Sequence, residues 1–299
     1  MTGLSGTNAA DAGRVASIGP VLVIGGDGML GRAVLARLKA QRERIAAPGL
    51  DRLDLTSRGS IGGAVAAGGW KTVINCAAYT DVDAAETDEA AARAVNADGP
   101  ALLAEACAMS GARLVHVSTD YVFGGKATRP YSTDEPLSPI GVYGSTKADG
   151  ERAVAAASPK NIVVRTSWLY APWAKNFVRT MATLTRTKDT LKVVSDQRGT
   201  PTSAEHLAEV MLDLVRGGGR GIYHATDGGE CTWFDLACAV CDGLGHTCDI
   251  TPCTTDEFPR PAPRPAYSVL DVSKTEAARG PMPGWRDNLA DVLPRLETD

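Results

Sequence analysis

The chain has 299 residues, an apolar fraction of 44% and a formal net charge of −4, enough for one large domain or two unequal lobes sharing a cleft. It has no basic run of the kind that marks a nucleic-acid partner, and its longest apolar stretches, such as Val21-Leu22-Val23-Ile24, are far too short to span a bilayer. Residues 1–18 are small and polar and lack the charged start and apolar centre of a signal peptide, which predicts a disordered tail on a cytoplasmic protein.

Strand and helix signals alternate from there. Residues 21–25 read as a buried strand and 29–41 as a helix by apolar spacing. A short strand is expected at 44–47, a candidate third at 53–55, and a helix over 57–67. Residues 71–75 read as another strand and 87–110 as one long alanine-rich helix. Strand 113–118, helix 143–157 and strand 161–165 follow. Strands separated by helices of this length imply βαβ crossovers and a parallel sheet covered on both faces. After about residue 170 proline, aromatics and irregular segments become common, and Phe258-Pro259-Arg260-Pro261-Ala262-Pro263-Arg264-Pro265 is expected to be extended. The expected fold is α/β, a doubly wound parallel sheet over 19–170. Residues 204–222, with a helix at 206–215, are expected to return to it, and most of 171–299 to form a smaller lobe that closes over it.

Seven cysteines are an odd count. Cys76 and Cys107 fall in predicted core elements. Cys231, Cys238, Cys241, Cys248 and Cys253 cluster, with His246 near the C-x-x-C of Cys238 and Cys241. The spacing lacks the paired pattern of a structural zinc site, so these two are expected one turn apart on a helix starting near Thr232. No metal is predicted. Asp81, Asp83 and Glu86 are expected to cap and start a helix.

Gly25-Gly26-Asp27-Gly28-Met29-Leu30-Gly31 links the first strand to the first helix. Glycines at 25, 28 and 31 permit a tight turn, close approach of a pyrophosphate and close packing of helix on strand, and the helix N-terminus offers N–H groups to phosphate. The spacing is G-x-x-G-x-x-G rather than the usual G-x-G-x-x-G, and its place after the first strand is what points to a dinucleotide. The second strand ends in Ile45-Ala46-Ala47-Pro48, without an acid for a ribose 2′-hydroxyl. Arg32 directly follows the loop and Arg52 lies near, so charge matching favours NADPH, with NADH as the alternative. Asp54 and Leu55 are expected beside the adenine.

Tyr143 and Lys147 lie four residues apart, after a strand ending in Ser118-Thr119-Asp120. A phenol can protonate a carbonyl oxygen, but its pKa of ~10 makes it sluggish at neutral pH. An ammonium one helical turn away is expected to bring that pKa down, while a hydroxyl at the strand tip holds the carbonyl in line. With a nicotinamide cofactor, this is equipment for reducing a ketone.

The glycine loop, Asn75-Cys76-Ala77-Ala78-Tyr79-Thr80-Asp81-Val82-Asp83-Ala84-Ala85-Glu86, Ser118-Thr119-Asp120-Tyr121-Val122-Phe123, Tyr143 to Lys147, Arg165-Thr166-Ser167-Trp168, Asp196-Gln197-Arg198-Gly199-Thr200-Pro201-Thr202 and Arg264-Pro265 occur in that order. In this the chain resembles the extended short-chain dehydrogenase/reductase family, and within it the dTDP-4-dehydrorhamnose reductases. The resemblance implies a Rossmann-type sheet with a C-terminal substrate-binding lobe, and a dTDP-linked 4-keto-6-deoxy sugar as substrate. It implies a catalytic set of Thr119, Tyr143 and Lys147. Gly25, Gly28, Met29, Leu30 and Gly31 would hold the pyrophosphate, and Cys76, Ala77 and Ala78 would line the cofactor cleft, with Lys147 on the nicotinamide ribose. Thr80, Tyr121 and Trp168 would face the sugar, and Asn176, Gln197, Thr202 and Arg264 the nucleotide end. Two features depart from the family. Cys76 stands where alanine is usual. Arg32-Ala33 occupies the stretch where some members place a glutamate for magnesium at a dimer contact, so the metal is not carried over.

The resemblance leaves the protein a monomer or a homodimer. An epimerase or reductase of a related nucleotide-linked keto-deoxysugar, or a non-catalytic regulatory subunit of the same fold, are the rival readings.

Overall fold

A computed structural model of the chain describes residues 16–296. The first lobe runs β1 (Val21–Ile24), α1 (Met29–Ala40), β2 (Ile45–Ala46), α2 (Arg58–Ala66), β3 (Thr72–Asn75), α3 (Val82–Ala85), α4 (Glu89–Arg93), α5 (Gly99–Ser110), β4 (Arg113–Thr119), α6 (Val142–Ala157) and β5 (Ile162–Thr166). The second lobe begins with β6 (Leu169–Tyr170), α7 (Phe177–Thr187), β7 (Thr190–Val194), β8 (Arg198–Gly199) and β9 (Thr202–Ser203). Then α8 (Ala204–Arg216) and β10 (Gly221–His224) return to the first lobe. β11 (Cys231–Thr232), α9 (Trp233–Gly243), β12 (Asp249–Cys253), α10 (Ser273–Arg279) and α11 (Trp285–Val292) follow.

Six parallel strands form the main sheet in the order β2-β1-β3-β4-β5-β10. Both faces are apolar because successive side chains alternate and each face is covered by helices. Val21, Val23, Ile74, Val115, Ile162 and Val164 share a core with Leu38 of α1 and Leu207 and Met211 of α8. Leu22, Ile24, Val73, Leu114 and Val163 pack with Ile61 of α2 and Leu103 of α5. The second lobe has its own cluster, including Tyr170, Val178, Val193, Leu236, Val240, Trp285 and Leu289. A Thr232–Asp235 capping box opens α9, which carries Cys238 and Cys241. The tail expected over 1–18 lies outside the described residues as far as residue 15. Ile18 is buried in the core of the first lobe.

Two elements differ from expectation. Residues 53–55 contain no strand, although the alternation of buried Leu53 and Leu55 imitates one. Asp54 Oδ1 accepts from the Thr56 N–H at 2.8 Å and the Asp54 N–H donates to Ser60 Oγ at 2.9 Å, so side chains take groups a ladder would use. The long helix expected over 87–110 begins at Glu89 and is widened by a π turn at Ala94–Asp98 between α4 and α5. The wide turn carries Asn96, which is fully buried. Its side chain accepts from the Tyr79 N–H at 2.9 Å and donates to the Tyr79 carbonyl at 3.0 Å, fixing the loop after β3.

Carboxylates tie the elements near this loop. Asp81 caps α3 through the Ala84 N–H at 3.0 Å. Glu86 reaches α6, whose N-cap is Gly141, and accepts from the Val142 N–H at 2.9 Å. Residues 258–265 contain neither helix nor strand. Asp83 anchors this segment, pairing with Arg264 at 3.0 Å and accepting from Arg260 Nε at 3.0 Å and the Ala262 N–H at 3.1 Å. Among the described residues, no helix is long and apolar enough to cross a membrane.

Candidate active site

Strand order reverses between β1 and β3, and the segments leaving β1, β3, β4 and β5 meet at the carboxyl edge of the sheet. There they line a cavity of about 600 Å³. Gly25 turns the chain with φ +74°, and a Cβ there would sit 2.7 Å from the Ala77 nitrogen. A Cβ at Gly31 would run into the Gly25 carbonyl. Gly31 therefore sets the spacing of α1 beneath the loop without reaching the cavity. The start of α1 has neither a side-chain cap nor an acid in its first turn, which leaves its N–H groups and positive dipole end for an anion. Asn75 Oδ1 accepts from the Ala77 N–H at 3.1 Å and shapes the opposite wall of Cys76, Ala77 and Ala78. Cys76 is half-buried there, and burial pushes its thiol up to about 12.

Thr119 ends β4 and a 3-10 turn follows over Asp120–Val122. Gly144 lets α6 pack against this turn, since a Cβ would collide with the Tyr121 carbonyl oxygen. The close approach puts Tyr143 edge-on to Tyr121, ring centroids 5.5 Å apart, with Thr119 beside the phenol. Lys147 Nζ, one turn on, donates to the Val117 carbonyl at 2.6 Å. Burial pulls its ammonium down to about 8 while the Glu151 carboxylate supports the charge. Burial also pushes the Tyr143 phenol up to about 12. Lys147 was expected to lower the phenol; here desolvation outweighs any such effect, and the ammonium is turned to the strand.

Glu151 is itself held by Arg165, both side chains almost wholly buried, at 2.8 to 3.1 Å. Arg165 also donates to the Thr133 carbonyl at 3.1 Å and lies over the Phe123 ring. On the far wall Trp168, held at φ +46°, stacks on Trp233 with centroids 3.6 Å apart and an interplanar angle of 10°. Trp233 Nε1 donates to Gln197 Oε1 at 3.2 Å.

The family model described as RmlD substrate binding domain matches residues 19–298. The chain belongs to this family. A relative from Streptomyces antibioticus, named a probable dTDP-4,6-dihydroxy-2-methyloxan-3-one 4-ketoreductase, is 45% identical over 92% of this chain and 95% of its own. A crystal structure of a dTDP-4-dehydrorhamnose reductase from Clostridium acetobutylicum matches with a TM-score of 0.91 at 40% identity, over 93% of this chain and 100% of that one. A dTDP-4-dehydrorhamnose reductase from Bacillus anthracis, solved in complex with NADP, matches with a TM-score of 0.90 at 33% identity, over 92% and 99%.

Of the residues expected at the site of this RmlD-family chain, Gly25, Gly28, Met29, Leu30, Cys76, Ala77, Ala78, Thr80, Thr119, Tyr121, Tyr143, Lys147 and Trp168 line the cavity. The others do not. Arg32 lies over the Trp173 ring at 4.9 Å, and Trp173 Nε1 donates to the Met29 carbonyl at 3.1 Å. Asp54 is used in its own turn and Leu55 is buried in the core. Asn176 caps α7 through the Arg179 N–H at 3.1 Å and braces the Ala171 carbonyl at 2.8 Å. Gln197 bridges Trp233 and Thr255, Thr202 is fully buried beside β6, and Arg264 pairs with Asp83. Asp120 and Trp233, which also line the cavity, had no expected role. An acid at the carboxyl end of a parallel strand is a signal for Asp120. Nothing in sequence pointed to Trp233, which arrives from the other lobe.

Proposed function

We propose that this RmlD-family chain reduces the C4 keto group of dTDP-4-dehydro-6-deoxy-L-mannose to dTDP-L-rhamnose at the expense of NADPH. The observation that carries this is the convergence of Thr119, Tyr143 and Lys147 with an uncapped glycine loop in one cavity. That loop fits a dinucleotide. Its two tight glycines keep the backbone low, and the first turn of α1 brings no carboxylate against a pyrophosphate. Gly25, Gly28, Met29 and Leu30 would hold the pyrophosphate, Cys76, Ala77 and Ala78 the cofactor's other side, and Lys147 the ribose hydroxyls. The acid-free end of β2 and the NADP complex of the Bacillus anthracis relative support NADPH over NADH.

When bound, a nicotinamide would supply the hydride for the sugar carbon. The chain's own part is to place and protonate the oxygen. A phenol held near 12 keeps its proton at neutral pH, as an acid for reduction must. The Tyr143 O–H proton passes to the carbonyl oxygen. Solvent then reprotonates the phenolate left behind, and Lys147 lines the same cavity. Thr80, Tyr121 and Trp168 would contact the sugar, and the second lobe would receive the nucleotide end and exclude water. Gln197 would act there through Trp233.

Incubating the protein with dTDP-4-dehydro-L-rhamnose and following NADPH absorbance and product sugar tests this. Stoichiometric oxidation with dTDP-L-rhamnose as product is expected. Conversion without net NADPH consumption would instead identify an epimerase, and an inert chain a regulatory subunit. The name of the Streptomyces antibioticus relative supports a second reading, reduction of a related dTDP-linked keto-deoxysugar. A higher kcat/KM for such a sugar in direct competition would favour it.

A further inference from the structure

Asp120 is buried at the floor of the cavity with no part in the chemistry described above. Thr119 Oγ1 donates to Asp120 Oδ1 at 2.9 Å and accepts from the Tyr121 N–H at 3.2 Å. The Asp120 carboxylate is otherwise buried, with the Ser268 hydroxyl close to it. A hydroxyl has one proton. While Asp120 is an ionised acceptor it holds that proton, and Thr119 cannot also donate to an oxygen beside Tyr143.

Resting on the reductase reading, we propose that Asp120 is a positioning residue that decides which oxygen receives the Thr119 proton. Ionised, it draws the hydroxyl to itself. Protonated from solvent, it donates instead, and Thr119 turns its proton to the sugar's carbonyl oxygen, in line with Tyr143. No covalent bond of the substrate changes in this step. The groups facing Asp120 are Thr119 and Tyr121 of its own turn, Tyr143 of α6, and Ser268 from the segment after the proline run. Arg264 and Asp83 act on the adjacent Tyr121. Burial raises the Asp120 carboxyl to about 6, with the Ser268 and Thr119 hydroxyls opposing, so the switch falls within reach of assay.

The kcat/KM for keto-sugar, measured with saturating NADPH from pH 5 to 8, tests this. Wild type is expected to lose about tenfold between pH 5 and pH 7, the loss of protonated fraction for one group with a midpoint near 6. Asp120→Asn, neutral throughout, is expected to flatten that limb while NADPH affinity and melting temperature hold. Thr119→Val is expected to abolish the same limb, and the double variant to be no slower than Thr119→Val alone. A wild-type profile without the limb, its survival in Asp120→Asn, or additive losses in the double variant would overturn the proposal. Wild type inert toward every keto-sugar would sink the reductase reading instead. The Asp120 carboxyl, followed by carbon NMR in Asp-labelled protein, then decides this point by itself. Its midpoint should rise in Thr119→Val, which removes a donor, and an unmoved midpoint refutes the link.

Discussion

Lys147 Nζ donates to the Val117 carbonyl at 2.6 Å, which ties the ammonium to the strand that ends in Thr119. The tie fixes the head of a long side chain before any ligand arrives. Burial leaves that ammonium titrating at about 8. It is charged below this value and neutral above it. NADPH affinity is therefore expected to fall as pH rises through about 8, read by nucleotide fluorescence. Lys147→Ala should bind weakly at every pH. A flat wild-type profile from pH 6 to 9.5 would remove Lys147 from the ribose.

Tyr143→Phe keeps the ring that meets Tyr121 and removes the proton. Turnover is expected to fall by about 10²–10⁴-fold with NADPH affinity unchanged. Turnover equal to wild type would show that another group is the acid.

Glu151 and Arg165 form a buried pair, with side chains 1% and 2% exposed. Glu151→Gln strands a buried guanidinium and is expected to destabilise by about 3–5 kcal/mol in denaturant titration. Asp149→Asn, whose carboxylate meets the more exposed Arg93 at 2.9 Å, should cost at most about 1 kcal/mol. Equal costs would contradict this account of burial.

Gly144→Ala would push α6 from the Tyr121 carbonyl. An ångström of misplacement at Tyr143 is expected to lower kcat by about 10²-fold. Gly62 lies within α2, and a methyl group added there would meet nothing within 4 Å, so Gly62→Ala should instead stabilise by about 0.5–1 kcal/mol. Thermal melts and steady-state kinetics on the two variants separate packing at the site from helix propensity.

Arg264 meets Asp83 at 3.0 Å and does not line the cavity. If it turns to the diphosphate on binding, Arg264→Ala raises KM for the dTDP-sugar far more than it lowers kcat, and free dTDP inhibits less well. Asp83→Asn, which releases the arginine, should not weaken dTDP. Equal dTDP inhibition of wild type and Arg264→Ala would leave Arg264 a clasp for the proline segment.

Much of the site was legible because its residues sit in short segments leaving parallel strands, where spacing along the chain maps onto spacing around the cleft. The glycine loop, Thr119 and the Tyr143–Lys147 pair are of this kind. Gln197 and Arg264 lie in irregular chain, where the partner of a polar side chain is set by distant segments, Trp233 for Gln197 and Asp83 for Arg264, while Asn176 is taken up by its own helix cap. The strand expected at 53–55 failed for a related reason. Buried Leu53 and Leu55 alternate as in a strand, yet the backbone bonds go to neighbouring side chains. The pKa of Tyr143 departs from expectation because charge spacing is visible in sequence and desolvation is not.

The return of α8 and β10 to the main sheet has a consequence for how such a protein can be inherited and rearranged. Leu207, Met211 and Leu214 of α8 share one core with Val21 and Leu38, and Met282 joins it from near the far end of the chain. A fragment stopped at residue 170 would bare the apolar side of α1 and leave β5 without its neighbour β10. A cut there does not part the described residues into two separate cores. A lobe grafted from a relative to change the sugar would have to bring its returning helix and strand with it, so specificity and the cofactor scaffold travel together.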